Sequence, residues 1–201
     1  MNSDHLYEYV DLLERVLSYG YNFNYSTKAI ERLISYSSFF QSLENNYKKD
    51  PIISEKNLLT SIYPELEDVY FFRVDVFNQT LWASESYLRI LNETKLTFEC
   101  IFLYLPINMM YKYFDIYHEM DFSQIIKEFY RLYDSRSVID ILCENYGYSL
   151  KDVSNKTGIP YNSLLSLKLR KRDIKNTNVS DVYLLSRLFN VRIETIAEIT
   201  S

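Results

Sequence analysis

Residues 149–169 read SLKDVSNKTGIPYNSLLSLKL, and this stretch decides the fold. Ser149 and Asp152 have the spacing of a capping box, which satisfies the unpaired N–H groups at the start of a helix. Gly158 ends that helix, because glycine readily takes the left-handed conformation at the first position after a helix. Pro160 stands where a second helix starts, a position that tolerates its missing N–H. The pattern predicts two short helices crossing at a glycine turn, the arrangement whose second helix enters the major groove of DNA.

The second helix is expected to run from about Tyr161 to Leu169, with Leu164 and Leu167 facing inward. Its outward residues are the candidates for reading bases, and Asn162 is the best of them because its amide can pair bidentately with adenine. Each can instead be an ordinary solvated residue of the helix. The predicted base-reading set is Tyr161, Asn162, Ser163, Leu165 and Ser166.

A basic run, residues 168–175, comes directly after this helix. A DNA backbone would pass there, and phosphate contacts of this kind position a protein without specifying sequence. A solvated loop is the alternative interpretation. The predicted phosphate-binding set is Ser149, Lys151, Lys168, Arg170, Lys171, Arg172 and Lys175.

The region resembles the Cro/phage-repressor (XRE-type) helix-turn-helix family over roughly the last third of the chain. The resemblance implies a five-helix, lambda-repressor-like bundle that binds DNA, with its last two helices supplied by residues 182–189 and 191–196. It rests on Tyr148-Ser149, Val153-Ser154, Thr157-Gly158-Ile159, Leu164 and Leu167.

Four positions depart from the family pattern. The glutamine that opens the family's second helix is Leu150 here, and the glutamine that opens its recognition helix is Tyr161. The family's acidic residue and glycine after that helix are Lys168 and Arg170. The fold expectation survives these changes, but the family's standard phosphate and base contacts do not carry over with it.

Charge divides the chain into two predicted domains. Residues 135–201 carry ten Lys/Arg and seven acidic residues, a net +3, whereas residues 1–134 carry twelve Lys/Arg and twenty acidic residues, a net −8. We therefore predict a DNA-binding domain at 135–201 and an acidic, aromatic-rich helical domain at 1–134.

Composition favours an all-α fold. Twenty Tyr, twelve Phe and a hydrophobic share of 47% accompany only three Gly and four Pro, which is typical of helices with aromatic packing. One stretch, residues 69–82, is ambiguous. Phe72, Val74 and Val76 alternate with charged residues as in a strand, so a helix and a hairpin that returns through residues 80–82 both remain open.

Residues 86–98 can be aligned with residues 149–161, with serine, asparagine and threonine matched. The upstream copy has Leu91 in place of Ser154 and Lys95 in place of Gly158. The segment 84–117 is therefore either a degenerate second helix-turn-helix used for packing or a chance likeness between two helical hairpins.

No catalytic constellation stands out, so we predict a protein that is not an enzyme and holds no metal or cofactor. His118 and Glu119 lack a second histidine at ligand spacing, and Asp121 is more simply a helix cap. Cys100 and Cys143 are expected to be buried thiols. No signal peptide or membrane-spanning run is visible, which favours the cytoplasm.

The leading functional hypothesis is a sequence-specific DNA-binding transcriptional regulator. Its 1–134 domain would form a homodimer and respond to a protein or small-ligand effector. The alternative is a protein-interaction module, as in an antitoxin or phage-type inhibitor, that uses the same fold without specific DNA binding. The dimer rests on an apparent surplus of aromatic residues: Phe39, Phe40, Tyr70, Phe71, Phe72, Phe102, Tyr104, Tyr111, Tyr113 and Phe114.

Overall fold

The computed structural model describes residues 3–44, 55–63, 77–171 and 174–198, and within those ranges all regular structure is helical. The predicted all-α fold is confirmed. The helices of the first part are α1 Ser3–Asn22, α2 Thr27–Tyr36, α3 Ser38–Glu44, α4 Glu55–Ile62, α5 Phe77–Thr94, α6 Phe98–Tyr104, α7 Ile107–Tyr117 and α8 Ser123–Ser135. The helices of the last part are α9 Val138–Tyr146, α10 Leu150–Thr157, α11 Tyr161–Lys168, α12 Val179–Phe189 and α13 Ile193–Ala197, with a 3₁₀ turn at Ile174–Asn176.

The ambiguous stretch 69–82 is resolved in its second half. Residues 77–82 form the start of α5, so residues 80–82 are helical and do not form the return strand of a hairpin. Residues 69–76 lie outside the described ranges.

The first part is built on α1 and α5, which pack along each other. Leu13, Val16 and Leu17 of α1 recur at helical spacing and are fully buried. The buried carboxylate of Glu14 accepts a hydrogen bond from Thr80 Oγ1 of α5 at 3.1 Å, which satisfies a polar group inside this contact.

The last part, residues 138–198, is called the C-terminal module below. The described residues of this module form five α-helices, the number expected from the sequence. They surround the buried side chains of Val153, Leu164, Leu185, Phe189 and Ile196.

The two parts meet across α6, which contacts both α9 and α13. The Glu44 carboxylate is fully buried there, pairs with Arg192 Nη1 at 2.7 Å and accepts the Phe98 N–H at the start of α6 at 2.7 Å. Glu99 of α6 accepts the Arg192 N–H at 2.8 Å and the Thr195 hydroxyl at 2.6 Å at the start of α13. The first part thus satisfies helix-terminal groups of the C-terminal module. The division into separately folding domains at residues 1–134 and 135–201 stays a prediction.

The turn between α5 and α6 repeats the turn between α10 and α11. Lys95 has φ 58° and Gly158 has φ 75°, so both adopt the left-handed conformation after their helices. Thr94 Oγ1 donates to the Ile90 carbonyl at 2.8 Å and accepts the Leu96 N–H at 3.2 Å. Thr157 makes the corresponding bonds, to the Val153 carbonyl at 2.7 Å and from the Ile159 N–H at 3.2 Å.

The two units differ in the exposure of the helix after the turn. Helix α6 is largely buried, with the side chains of Phe98, Ile101 and Phe102 in the core of the protein. A helix covered in this way cannot enter a groove of DNA, so the α5–α6 unit serves packing. Cys100 on the same helix and Cys143 on α9 are buried thiols, as predicted, and burial raises the pKa of both.

Candidate nucleic-acid interface

The capping box at the start of α10 forms as predicted. Ser149 Oγ accepts the Asp152 N–H at 3.2 Å, and the Asp152 carboxylate accepts the Ser149 N–H at 2.9 Å. The Asp152 carboxylate also accepts the Ser149 hydroxyl at 2.6 Å, and this bond together with the one from the Ser149 N–H holds the pKa of Asp152 below its usual value. The Ser149 side chain, which was predicted to contact phosphate, is therefore engaged in the cap.

The glycine turn is also where the sequence placed it. The Gly158 N–H bonds to the Ser154 carbonyl at 2.8 Å, and Ser154 Oγ donates to the Ile159 carbonyl at 2.7 Å. A Cβ built on Gly158 would meet nothing within 4 Å. The need for glycine is thus conformational and arises from the positive φ rather than from crowding.

The candidate recognition helix α11 ends at Lys168, one residue before the predicted end. Leu164 and Leu167 are buried, as predicted, and hold the helix against the module. Tyr161 and Asn162 are the most exposed members of the predicted base-reading set, whereas Ser163, Leu165 and Ser166 are partly buried. The Ser166 hydroxyl also donates to the Asn162 carbonyl at 2.9 Å. Tyr161 and Asn162 therefore present the most accessible chemistry on this helix.

Lys168 has a carboxylate partner within the module. Its Nζ lies 2.8 Å from Asp140 of α9, and this hydrogen bond raises the lysine pKa. Arg136 adds a second bond to Asp140 at 2.7 Å and reaches Glu144 at 2.5 Å. Burial opposes the charge of Asp140, yet the two cations hold its pKa below the usual value. A phosphate would have to compete with Asp140 for Lys168.

Arg170 is also engaged inside the chain. Its guanidinium donates to the Tyr104 hydroxyl at 3.1 Å, the Arg136 carbonyl at 2.9 Å and Glu198 at 3.2 Å. It also lies 4.5 Å from the centroid of the Tyr133 ring. The residue has φ 51°, so the chain turns sharply just after α11. Arg170 thereby ties the end of α11 to the first part of the chain.

Two other predicted phosphate contacts are open. Lys151 and Lys171 are exposed, and neither side chain forms an ion pair within the described ranges. Lys156, which the sequence prediction did not include, is exposed in the last turn of α10, with Nζ 5.1 Å from the centroid of the Tyr148 ring. Lys156 could have been predicted as a phosphate contact from its position in the last turn of the helix that precedes the glycine turn. Arg172 lies outside the described residues, as does the side chain of Lys175.

The residues around His118 join α7 to α8: His118 is the C-cap of α7, and Phe122, rather than Asp121, is the N-cap of α8. His118 stacks on Phe114 with ring centroids 4.5 Å apart, and Asp121 accepts the Ser123 N–H at 2.8 Å in the first turn of α8. Among the described residues, no group of three or more His, Cys, Asp or Glu side chains is placed to hold a metal. None of the described helices combines the length and apolar character needed to cross a membrane.

Comparison of the chain with protein-family models, with curated proteins and with solved structures found no match in any of the three. Functional inference therefore depends on the residues and geometry of α10 and α11.

Proposed function

We propose that this protein is a sequence-specific DNA-binding transcriptional regulator that places α11 in the major groove. The observation that carries the proposal is the α10–α11 pair, which crosses at a left-handed glycine and leaves Tyr161 and Asn162 exposed on the second helix. In a helix-turn-helix, the N-terminal residues of the second helix contact base edges. Tyr161 and Asn162 are the first two residues of α11.

The distribution of charge supports the proposal and refines it. Lys151 and Lys156 lie on α10, and Lys171 follows α11. All three are exposed, and none forms an ion pair within the described ranges. Lys168 and Arg170 keep carboxylate partners at 2.8 Å and 3.2 Å, so phosphate contact would cost them an existing interaction. We therefore assign most of the phosphate binding to Lys151, Lys156 and Lys171, with Arg172 and Lys175 as further predicted contacts.

The test is the salt dependence of duplex binding. Replacing Lys151 and Lys171 together with alanine should weaken binding to every duplex alike. It should also reduce the slope of log affinity against log salt by ~0.9 for each phosphate that the variant no longer neutralises. Lys112→Ala, an exposed lysine on α7, is the matched control and should change neither quantity. Unchanged affinity in the double variant would show that these lysines are solvated and that the groove-docking arrangement is wrong.

Sequence reading is tested separately by selecting bound sequences from a random duplex pool. Asn162→Ala should relax the selected sequence at one base pair, at a cost of about 1–3 kcal/mol for the missing bidentate pair. The salt slope should stay as in the unchanged protein, because this side chain carries no charge. An identical selected sequence would remove Asn162 from the base-reading set.

One observation favours a second candidate function, a protein-interaction module. The C-terminal module exposes Leu169, Val179 and Tyr183, while three of its cations, Lys168, Arg170 and Arg192, are already paired with carboxylates. Exposed apolar side chains suit a protein surface better than a phosphate backbone. Under this alternative, duplex binding is absent or weak, and Val179→Ser with Tyr183→Ser abolishes capture of the protein partner.

A further inference from the structure

A cleft opens between the two parts of the chain, away from the Tyr161 end of α11. It has a volume of about 380 Å³, which lies in the range of small-molecule sites. Helices α2 and α6 form one side, and α9 with the turn between α12 and α13 forms the other. A molecule bound there would touch both parts at once.

The inner wall of the cleft is apolar and its mouth is aromatic. Phe102 and Leu142, one from each part, are buried side chains that line it. Tyr36 and Tyr146 stand at the mouth with exposed fractions of 45% and 43%. Such a surface suits the ring or apolar body of a small organic molecule.

Two cations on α2 supply the charge. Lys28 and Arg32 are one helical turn apart, both line the cleft and both are exposed. The Arg32 guanidinium carbon lies 5.7 Å from the centroid of the Tyr36 ring. Burial raises the pKa of Tyr146, and the Arg32 charge opposes this rise while the Glu99 charge adds to it. In the described part of the chain, neither cation forms a salt bridge with a carboxylate.

The two acidic side chains that line the cleft, Glu31 and Glu99, accept hydrogen bonds from other parts of the chain. Glu31 accepts the Ile107 N–H at 2.7 Å, and burial raises its pKa to about 7, so it is partly neutral near physiological pH. Glu99 accepts hydrogen bonds from the Arg192 N–H and the Thr195 hydroxyl at the start of α13. Both carboxylates are partly buried, and burial together with the Glu99 charge raises the pKa of Tyr36 and Tyr146. The exposed charged side chains of the cleft are the two cations, Lys28 and Arg32.

We propose that this cleft binds a small organic anion with an aromatic or apolar body. Arg32 and Lys28 bind the anionic group, and the body lies against Phe102 and Leu142. A guanidinium suits this task because its planar donors match a carboxylate or phosphate bidentately. Because the wall residues come from both parts, the bound anion also stabilises their contact. The proposal does not depend on DNA binding, since the cleft and its charges are present whatever α11 contacts.

Isothermal titration calorimetry on the full chain, without DNA, tests the site. Four probes share a phenyl ring and differ in the attached group: benzoate, phenyl phosphate, benzyl alcohol and benzylamine. We expect at least one of the two anions to bind about tenfold or more tightly than the alcohol, because a hydrogen bond to a charged partner is worth about that factor. The amine should bind most weakly. The better-bound anion identifies whether the natural ligand is a carboxylate or a phosphate.

Variants locate the binding. Arg32→Gln should abolish the preference for anions, whereas Arg187→Gln, an exposed arginine on α12, should retain it. Circular dichroism melting of both variants checks that they fold. Equal binding of all four probes, no binding of either anion at millimolar concentration, or an intact preference in folded Arg32→Gln would each overturn the proposal. None of these results bears on duplex binding, so the two proposals fail separately.

Discussion

Arg170 was predicted to contact phosphate, but in the structure its side chain binds other residues of the chain. Its place just after α11 predicted a phosphate contact. In the folded chain its guanidinium bonds to Tyr104, Glu198 and the Arg136 carbonyl. Its neighbour Lys171 is exposed and forms no ion pair within the described ranges. The pair therefore separates a structural cation from an available one at adjacent positions.

We expect Arg170→Gln to lower the stability of the protein and Lys171→Gln to lower its affinity for duplex DNA. The arginine side chain is 31% exposed, so solvent weakens its ion pair with Glu198. The loss of three hydrogen bonds should still cost about 1–2 kcal/mol of unfolding free energy. For a chain of this size, each kcal/mol lowers the melting temperature by about 2–4 °C. Lys171→Gln should leave melting unchanged and reduce duplex affinity. Equal melting temperatures in the two variants would contradict the structural role of Arg170.

The turn is the element on which the candidate interface depends, and the chain contains two versions of it. Gly158 takes a positive φ without steric cost, whereas Lys95 takes nearly the same φ with a side chain. The threonine before each turn makes the same two hydrogen bonds in both. The turns differ in that Ser154 donates to the Ile159 carbonyl, whereas Leu91 stands at the corresponding position of the other turn. A comparison of the two sites therefore tests the conformational preference of the residue in two similar turns.

Gly158→Val should destabilise the full chain by about 1–3 kcal/mol, because a β-branched residue is strained at positive φ. Apart from the neighbouring residues of the chain, no atom lies within 4 Å of a Cβ added at this position, so the expected loss is assigned to backbone strain. Lys95→Gly is the matched variant at the other turn, and it should be neutral or raise the melting temperature. Melting curves of both proteins measure the difference. An unaltered curve for Gly158→Val would mean that the backbone at this turn is not left-handed.

At the scale of the whole molecule, the aromatic residues occupy places other than those the dimer hypothesis gave them. Phe39, Phe40, Phe102 and Tyr104 are buried in the chain's own core. The other described members, Tyr111, Tyr113 and Phe114, pack partly buried against it. Tyr70, Phe71 and Phe72 lie outside the described residues. Exposed apolar side chains of the first part, such as Tyr7 and Phe23, with exposed fractions of 71% and 57%, are better placed for an interface.

The homodimer through residues 1–134 stays a prediction. Light scattering on the full chain should give twice the mass of one chain at micromolar concentration. Two recognition helices would then lie a fixed distance apart, ~34 Å or a multiple of it. Val179→Ser with Tyr183→Ser, exposed positions in the C-terminal module, should leave the dimer intact. A monomeric full chain would favour partner binding by the first part, and dissociation by this variant would place the interface in the module.

The sequence by itself determined the local features of the candidate site. The capping box of Ser149 and Asp152 and the left-handed Gly158 involve residues within a few positions of one another, so their geometry is set by residue type. The buried faces of α10 and α11 are set in the same way by helical spacing. The two helices and the glycine turn between them could be predicted for that reason.

Only the tertiary structure decided which cations remain available and where the chain opens. Arg170 meets Tyr104 across 66 positions, and Arg192 meets Glu44 across 148. The cleft likewise needs α2, α6 and α9 to meet. The sequence alignment of 86–98 with 149–161 predicted a similar turn, yet it could not show that α6 is buried while α11 is exposed. Burial and ion pairing depend on contacts between segments that are far apart in the sequence, and a local sequence pattern does not specify those contacts.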